Sequence, residues 1–116
     1  MRYLLMANND PALVGALTPE QMQSVMGRYL SFTQALGAAG VLGAFEQLHP
    51  ADTATTVRNR DGETVLTDGP YADVAEQFGG YWVVEAPDLD TALAHARECP
   101  AADVGSVEVR GLAELG

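Results

Sequence analysis

The clearest candidate for chemistry in this sequence is Asp68, which stands at the end of an apolar segment and directly before a Gly-Pro pair. A carboxylate held by such a turn can act as a general base, a general acid or an anchor for a ligand. An alternative is that Asp68 only accepts hydrogen bonds from the N–H groups of its own turn, as aspartate does in Asx-turns. The sequence leaves both interpretations open.

Two further carboxylates, Glu76 and Glu46, could converge with Asp68 on one cleft if the chain folds over its first helix. Clustered carboxylates raise one another's pKa, which keeps a neutral acid available near neutral pH. We therefore predict Asp68 and Glu76 as catalytic residues and Glu46 as a ligand-binding residue. Arg58 could instead neutralise the cluster through an ion pair, which would make Glu46 and Arg58 structural.

Aromatic residues and the turn after Asp68 complete the predicted ligand-binding set. The full set is Tyr29, Glu46, Arg58, Pro70, Tyr71 and Tyr81. Tyr29 and Tyr81 place phenolic hydroxyl groups beside apolar positions, although a tyrosine there can also be a core residue with one satisfied hydroxyl. Trp82 is predicted to lie in the core or at an interface, where its indole N–H needs an acceptor.

No pattern in the sequence indicates a metal or a cofactor. The two histidines, His49 and His95, do not form a His-x-x-x-His pair, and the single cysteine, Cys99, has only His95 within ten positions. The sequence also has no Gly-rich phosphate loop, no nucleophile elbow and no dinucleotide-binding fingerprint. We therefore predict that the protein uses no metal and no cofactor.

The composition limits the partners that the chain can bind. The sequence has 116 residues, with six arginines, no lysine and sixteen acidic residues, which gives a net charge of −10. Such a balance repels DNA and acidic membranes, because affinity for phosphate comes from Lys and Arg. No apolar run approaches the roughly 20 residues of a membrane span, and no secretory leader is recognisable. We expect a cytoplasmic protein with no direct nucleic-acid partner and no membrane partner.

The pattern of apolar residues predicts the order β-α-β, an inserted β-hairpin, and then β-α-β. The expected strands are 2–7, 41–48, 53–60, 63–67, 80–86 and 104–110. Thr18 is a good helix cap followed by proline, so we expect a helix over 19–38, and Asp88 is expected to cap a second helix. Asp61-Gly62 predicts the turn of the hairpin. The segment 73–78 is expected to form a short helical turn.

This order predicts a ferredoxin-like α+β sandwich, a split βαβ fold with an inserted β-hairpin, and residues 1–116 are expected to form one domain. The first strand is apolar on both faces, with Leu5 on one and Leu4 on the other, and so is the strand around Trp82. Two helices can cover only one face, so we predict a homodimer that packs sheet to sheet. Alternatively, the hairpin and the segment 8–17 fold over the second face.

Several segments of the sequence occur together in one known family. They are Asp68-Gly69-Pro70-Tyr71-Ala72, Glu76, Gly79-Gly80-Tyr81-Trp82, and the stretches 39–42, 46–48, 56–58 and 105–110. In these segments the chain resembles the YCII-related family, and more closely its DGPF-type branch, named after an Asp-Gly-Pro-Phe sequence. Tyr71 in place of phenylalanine and Gly111 in place of proline depart from that branch. The resemblance implies a dimeric α/β barrel of ferredoxin-like subunits.

The resemblance implies less about function. Most members of the DGPF-type branch have no assigned reaction, and some are encoded beside, or fused to, sigma factors of the extracytoplasmic-function type. Related YCII-type proteins carry a His-Asp dyad proposed to be catalytic, and one of them is a dehydrochlorinase in the breakdown of chlorinated aromatic compounds. The dyad histidine lies on their first helix. Here that helix has no histidine and carries Arg28 and Tyr29 at its centre.

We therefore predict a homodimeric accessory or regulatory protein that binds a small molecule, with a sigma-factor link implied by the resemblance alone. The alternative is an enzyme that uses carboxylate acid–base catalysis on a small aromatic or carbonyl-containing metabolite. In that case Asp68 would be the base, with Glu76 or Tyr29 assisting. A cleft that holds both carboxylates would favour the enzyme, and carboxylates in solvent would favour the binding protein.

Overall fold

A four-stranded sheet and two main helices build the body of the chain, and a separate hairpin projects from it. The computed structural model describes residues 1–114, so the last two residues of the expected 1–116 domain lie outside the described part. The strands are β1 (Arg2–Asn9), β2 (Leu42–Gln47), β3 (Thr55–Arg60), β4 (Glu63–Asp68), β5 (Gln77–Glu85) and β6 (Gly105–Gly111). The helices are α1 (Pro11–Gly15), α2 (Pro19–Ala38), α3 (Leu89–Arg97) and α4 (Ala101–Val104), and Ala51–Thr53 forms a 3-10 turn.

The body is an antiparallel sheet with the strand order β2-β5-β1-β6. The two main helices, α2 and α3, each connect two of these strands and pack on the same face, which is the ferredoxin-like arrangement. β3 and β4 form a second, two-stranded sheet of their own, which is the inserted hairpin. The predicted ferredoxin-like α+β sandwich is therefore confirmed.

The local sequence explains where α2 begins. The Thr18 side chain accepts a hydrogen bond from the backbone N–H of Gln21, and the Gln21 side chain accepts one from the N–H of Thr18. This capping box satisfies two N–H groups at the start of the helix, and Pro19 occupies a first-turn position where no N–H is needed. The helix spans Pro19–Ala38, as the sequence predicts.

The inserted hairpin has the predicted turn, but the segment after it differs from the prediction. Asp61 and Gly62 have φ angles of 52° and 79°, the two positive values that this turn requires. No helical turn forms over 73–78. β5 begins at Gln77 instead, because the last two residues of β1 extend the ladder to Phe78 and Gln77.

The core lies between the sheet and the helices. Leu5 of β1 and Val84 of β5 are fully buried there. Phe32 and Leu36 of α2 and Ala92 of α3 belong to the same buried cluster. Since side chains alternate along a strand, every second residue of β1 and β5 points away from this core.

The face of the sheet opposite the core is called the open face here. Its central residues are Leu4 and Met6 of β1, which pair with Val83 and Tyr81 of β5. All four side chains are half-buried, and the core cluster that contains the two main helices does not include them. The two apolar faces expected from the sequence are therefore observed.

The hairpin and its flanking loops, residues 48–76, are called the arm here. No residue between 43 and 79 is buried, and α1 contains no buried residue either. Val57 and Leu66, which face each other across the two strands of the arm, are 60% and 67% exposed. Neither segment acts as a packed lid, which argues against the alternative that the chain covers its own open face.

The buried position of Leu5 gives a prediction about stability. Leu5→Ala leaves a cavity in the core, so we expect the free energy of unfolding to fall by about 2–5 kcal/mol in a denaturant titration. Leu13→Ala on α1, where the side chain is 55% exposed, should change it by less than about 0.5 kcal/mol. Similar losses for the two variants would contradict the core described above.

Candidate functional site

A cavity of about 480 Å³ opens between α2 and the β2 edge of the sheet, on the same face as the core. Residues of β1, α2, β2 and β5 line it, and they are mainly apolar. The residues that matter most for its chemistry are Asn9, Met26, Tyr29, Leu30, Phe45 and Trp82. A cavity of this volume lies within the range of sites that bind small organic molecules.

Trp82 is the buried wall of the cavity and is held by contacts from α2. The ring of Tyr29 lies parallel to it, with a centroid distance of 5.9 Å and an interplanar angle of 6°. Phe32 meets it edge to face at 5.0 Å. The indole N–H donates to the Thr33 hydroxyl at 3.0 Å, which is the acceptor that a buried tryptophan needs. The Thr33 hydroxyl in turn donates to the carbonyl of Tyr29 at 3.0 Å.

Tyr29 supplies a hydroxyl beside this ring pair. Its hydroxyl donates to the side-chain oxygen of Asn9 at 3.4 Å. Burial is the largest cause that raises the pKa of Tyr29 to about 12; the negative charge of an ionised Cys99 acts in the same direction and the Arg28 guanidinium in the opposite one. The hydroxyl is therefore neutral at physiological pH, where it can serve as a hydrogen-bonding group but not as a base.

The rim of the cavity is apolar and faces solvent. Met26 and Leu30 of α2 and Phe45 of β2 form it, and Leu30 and Phe45 are 60% and 51% exposed. Large apolar side chains from two elements around one opening are a common sign of a binding surface. The rim, together with the Tyr29–Trp82 pair, makes the cavity suited to a flat apolar ligand.

Two glycines keep the strands close beneath the cavity. A Cβ atom at Gly79 would lie 3.0 Å from the side-chain nitrogen of Asn9, and one at Gly80 would lie 3.1 Å from the carbonyl oxygen of Glu46. Both distances are tighter than ordinary van der Waals contact. Glycine is therefore favoured at both positions before Tyr81 and Trp82, because a side chain there would be too close to the neighbouring strand.

Two of the predicted ligand-binding residues, Tyr29 and Glu46, line the cavity. Glu46 pairs with Tyr81 across β2 and β5, so alternation places both of these side chains on the open face. Glu46 therefore borders the cavity with its backbone, and its carboxylate points to the other side of the sheet. Tyr81 stacks there on Phe78, with ring centroids 6.5 Å apart.

The expected convergence of three carboxylates does not occur within one chain. Glu46 lies on the edge strand β2, whereas Glu76 accepts a hydrogen bond from Ser106 on the opposite edge strand β6. These edges are three strand spacings apart, about 14 Å. Asp68 lies on β4 of the arm, and the convergence fails because the arm does not fold over α2.

Within residues 1–114, no three His, Cys, Asp or Glu side chains could share a metal ion.

The arm holds the remaining predicted residues, Arg58, Pro70 and Tyr71. The Arg58 guanidinium lies 5.7 Å from the centre of the exposed Tyr71 ring, in cation–π geometry, and Pro70 is half-buried in the adjacent turn. Arg58 forms no ion pair with any residue in the described range 1–114, so the neutralising role considered above is not observed. In the same range the exposed Asp68 carboxylate accepts no hydrogen bond from its own turn.

Sequence reasoning missed the residues that shape the opening of the cavity. Leu30 lies outside the apolar stripe that the sequence predicts for the buried face of this helix, which includes Met22, Val25, Met26, Tyr29 and Leu36. A leucine outside this stripe and next to Tyr29 was the available signal. Phe45 looked like an ordinary strand residue, and Asn9 lies beyond the expected first strand, 2–7, although β1 extends to it. Their proximity depends on how α2 lies against the sheet, which no local pattern contains.

The raised pKa of Tyr29 gives a testable pH dependence. Because burial favours the neutral ring, the contribution of Tyr29 to stability is complete below pH 10.0 and is lost as the pH rises through about 12. An absorbance titration of the tyrosines should show a late ionisation step near pH 12 that is absent in Tyr29→Phe. Tyr71→Phe, at an exposed ring, should retain this step. A late step that persists in Tyr29→Phe would contradict the assignment.

Comparison with solved structures supports the fold. The chain is similar to 5-chloro-2-hydroxyhydroquinone dehydrochlorinase (TftG) from Burkholderia phenoliruptrix AC1100, whose structure is a complex with 2,5-dihydroxybenzoquinone. The TM-score is 0.56 at 13% sequence identity, over 97% of this chain and 94% of that one. At this level of identity the similarity shows a common fold.

Comparison of sequences shows the family. An uncharacterised protein of Rhizobium meliloti (strain 1021) is 36% identical over 115 residues, which are 97% of this chain and 93% of that protein. The sequence model of the YCII-related domain matches residues 1–115. Because this match spans nearly the whole sequence and the fold agrees with it, the chain belongs to the YCII-related family.

Proposed function

We propose that this protein binds a small, planar, largely apolar molecule in the cavity between α2 and β2. The observation that carries the proposal is the Tyr29–Trp82 ring pair beneath an exposed apolar rim. Aromatic rings attract other flat rings through offset stacking and through the apolar area that contact removes from water. Asn9 and the Tyr29 hydroxyl supply hydrogen-bonding groups that would orient a polar substituent of such a ring.

The polar groups of the cavity favour binding over catalysis. The Tyr29 hydroxyl is neutral at physiological pH, and the Thr33 hydroxyl is already engaged by Trp82 and by a carbonyl. Neither Asp68 nor Glu76 belongs to the lining of the cavity. An enzyme that acts on a ring-containing metabolite is the second candidate, and the observation in its favour is the Asp68 carboxylate, which is exposed and without a partner in residues 1–114.

We also propose that the protein binds this small molecule in an accessory or regulatory role. The sigma-factor link, the DGPF-type branch and the cytoplasmic location stay predictions from the sequence. Within residues 1–114, no helix is long and apolar enough to cross a membrane. The net charge of −10 supports a neutral or cationic ligand over a polyanion.

We also propose that the protein is a homodimer, because a single chain exposes too much surface for its mass. The accessible surface is 7891 Å², whereas a monomeric protein of 12.3 kDa exposes about 6,100 Å². The radius of gyration is 16.1 Å, against about 13 Å for a compact domain of this length. The excess of about 1,800 Å² exceeds the roughly 800 Å² per partner of a standard interface. If a two-fold axis paired the open faces of two chains, the contact would bury part of this excess surface.

The homodimer can be tested by sedimentation equilibrium. We expect the wild-type protein at micromolar concentration to have twice the chain mass of 12.3 kDa. Met6→Asp places an unpaired charge on the open face and should shift the protein towards monomer. Leu13→Asp on the exposed α1 is the matched control and should stay dimeric. A monomeric wild-type protein would overturn the proposal.

Ligand binding can be followed through Trp82, the single tryptophan of the chain. Titration with hydroquinone, a neutral one-ring compound, should quench its fluorescence saturably, whereas cyclohexane-1,4-diol should not. Leu30→Arg, at the rim, should weaken the binding about tenfold or more, since it removes apolar contact. Leu13→Arg, outside the cavity, should bind as the wild type does. Linear quenching that is equal in both variants would show that the cavity does not bind the ring.

A further inference from the structure

Two exposed apolar patches would stay unpaired if two open faces were matched. One is the bare face of the arm, where Val57 and Leu66 lie opposite each other. The other is the rim of the cavity. The four central residues of the open face are already half-buried, so their pairing removes only part of the excess surface. The arm and the rim are exposed apolar surface that a second copy could also cover.

The two faces of the arm are different. On one face, the Thr56 hydroxyl donates to the carbonyl of Gly69 at 2.9 Å, and Arg58 lies over the ring of Tyr71, so the loop of the arm partly covers this face. The opposite face carries Val57 and Leu66 between the polar pairs Thr55–Asp68 and Asn59–Thr64, and no loop within residues 1–114 covers these two apolar side chains, which are 60% and 67% exposed. A two-stranded hairpin without packing is only marginally stable in water, so this bare face needs a partner surface.

We propose that the arm of each protomer lies across the cavity of its partner in the homodimer. In this arrangement Val57 and Leu66 cover the rim formed by Met26, Leu30 and Phe45. Each chain then gives one arm and receives one arm, so the contact is reciprocal and closes under two-fold symmetry. The inference rests on the proposed ligand site, because it describes how that site is completed.

The arm would also bring a carboxylate to the site. The pair Thr55–Asp68 lies two residues along the ladder from the pair Val57–Leu66, and side chains two residues apart point to the same face. Asp68 therefore lies on the bare face, about 7 Å along the strand from Leu66. Asp68 of the partner subunit would then be the charged acceptor of a cavity that otherwise offers neutral groups. A carboxylate at this position would favour ligands whose ring carries a hydrogen-bond donor, such as phenols and aromatic amines.

The contact can be tested by disulfide formation between two different chains. Cys99, the single cysteine, is buried and is replaced by alanine in every variant. A tagged Leu66→Cys chain is co-expressed with an untagged Leu30→Cys chain and mildly oxidised, and the products are separated on a non-reducing gel. We expect a covalent heterodimer that contains one tag. Leu66→Cys with Ala94→Cys, at an exposed position of α3, is the matched control and should give none.

The outcomes separate this inference from the proposed ligand binding. A dimer without the Leu66–Leu30 disulfide would overturn the inference, and so would a disulfide within one chain that carries both substitutions. If Leu30→Cys does not fold, Phe45→Cys at the same rim replaces it. A heterodimer disulfide in a protein that does not bind hydroquinone would support the arm contact and would count against the ligand site alone.

Discussion

The attachment of α2 to the sheet through Trp82 is the interaction on which the candidate site depends. Trp82 contacts α2 through two aromatic rings and one hydrogen bond to Thr33, so the helix is held firmly at this point. Beyond it, α2 and β2 separate enough to leave the cavity, and Leu30 and Phe45 stay in solvent. The same contacts that complete the core therefore also define the wall against which a ligand ring would lie.

A second constraint is that one chain has more apolar surface than its own elements can cover. The helices take one face of the sheet and leave the open face, while the arm has no core of its own. Both surfaces are unfavourable for the same physical reason, because apolar area in contact with water loses free energy when another surface covers it. In the proposed dimer, a second copy would give the open face and the arm their partner surfaces at the same time, so the dimer and the shared site are linked proposals.

The elements that depend on local chemistry were predictable from the sequence, and those that depend on tertiary contacts were not. Thr18 marks the start of α2 and Asp61 the hairpin turn, because a cap and a positive φ are local requirements. The segment 73–78 was wrongly expected to be helical, because pairing with the end of β1 decides its conformation. The predicted carboxylate cluster required the segment with Asp68 to fold back over α2, which it does not do. Whether Leu30 reaches the rim of the cavity depends on the path of the helix over the sheet.

The central claim is that a planar ring binds between the apolar rim and Trp82. The most direct measurement is a crystal structure of the protein grown with a set of one-ring aromatic compounds. We expect electron density for a ring in contact with Trp82 and Leu30. Rings bound only at other places, or a cavity filled by the protein's own side chains, would contradict it.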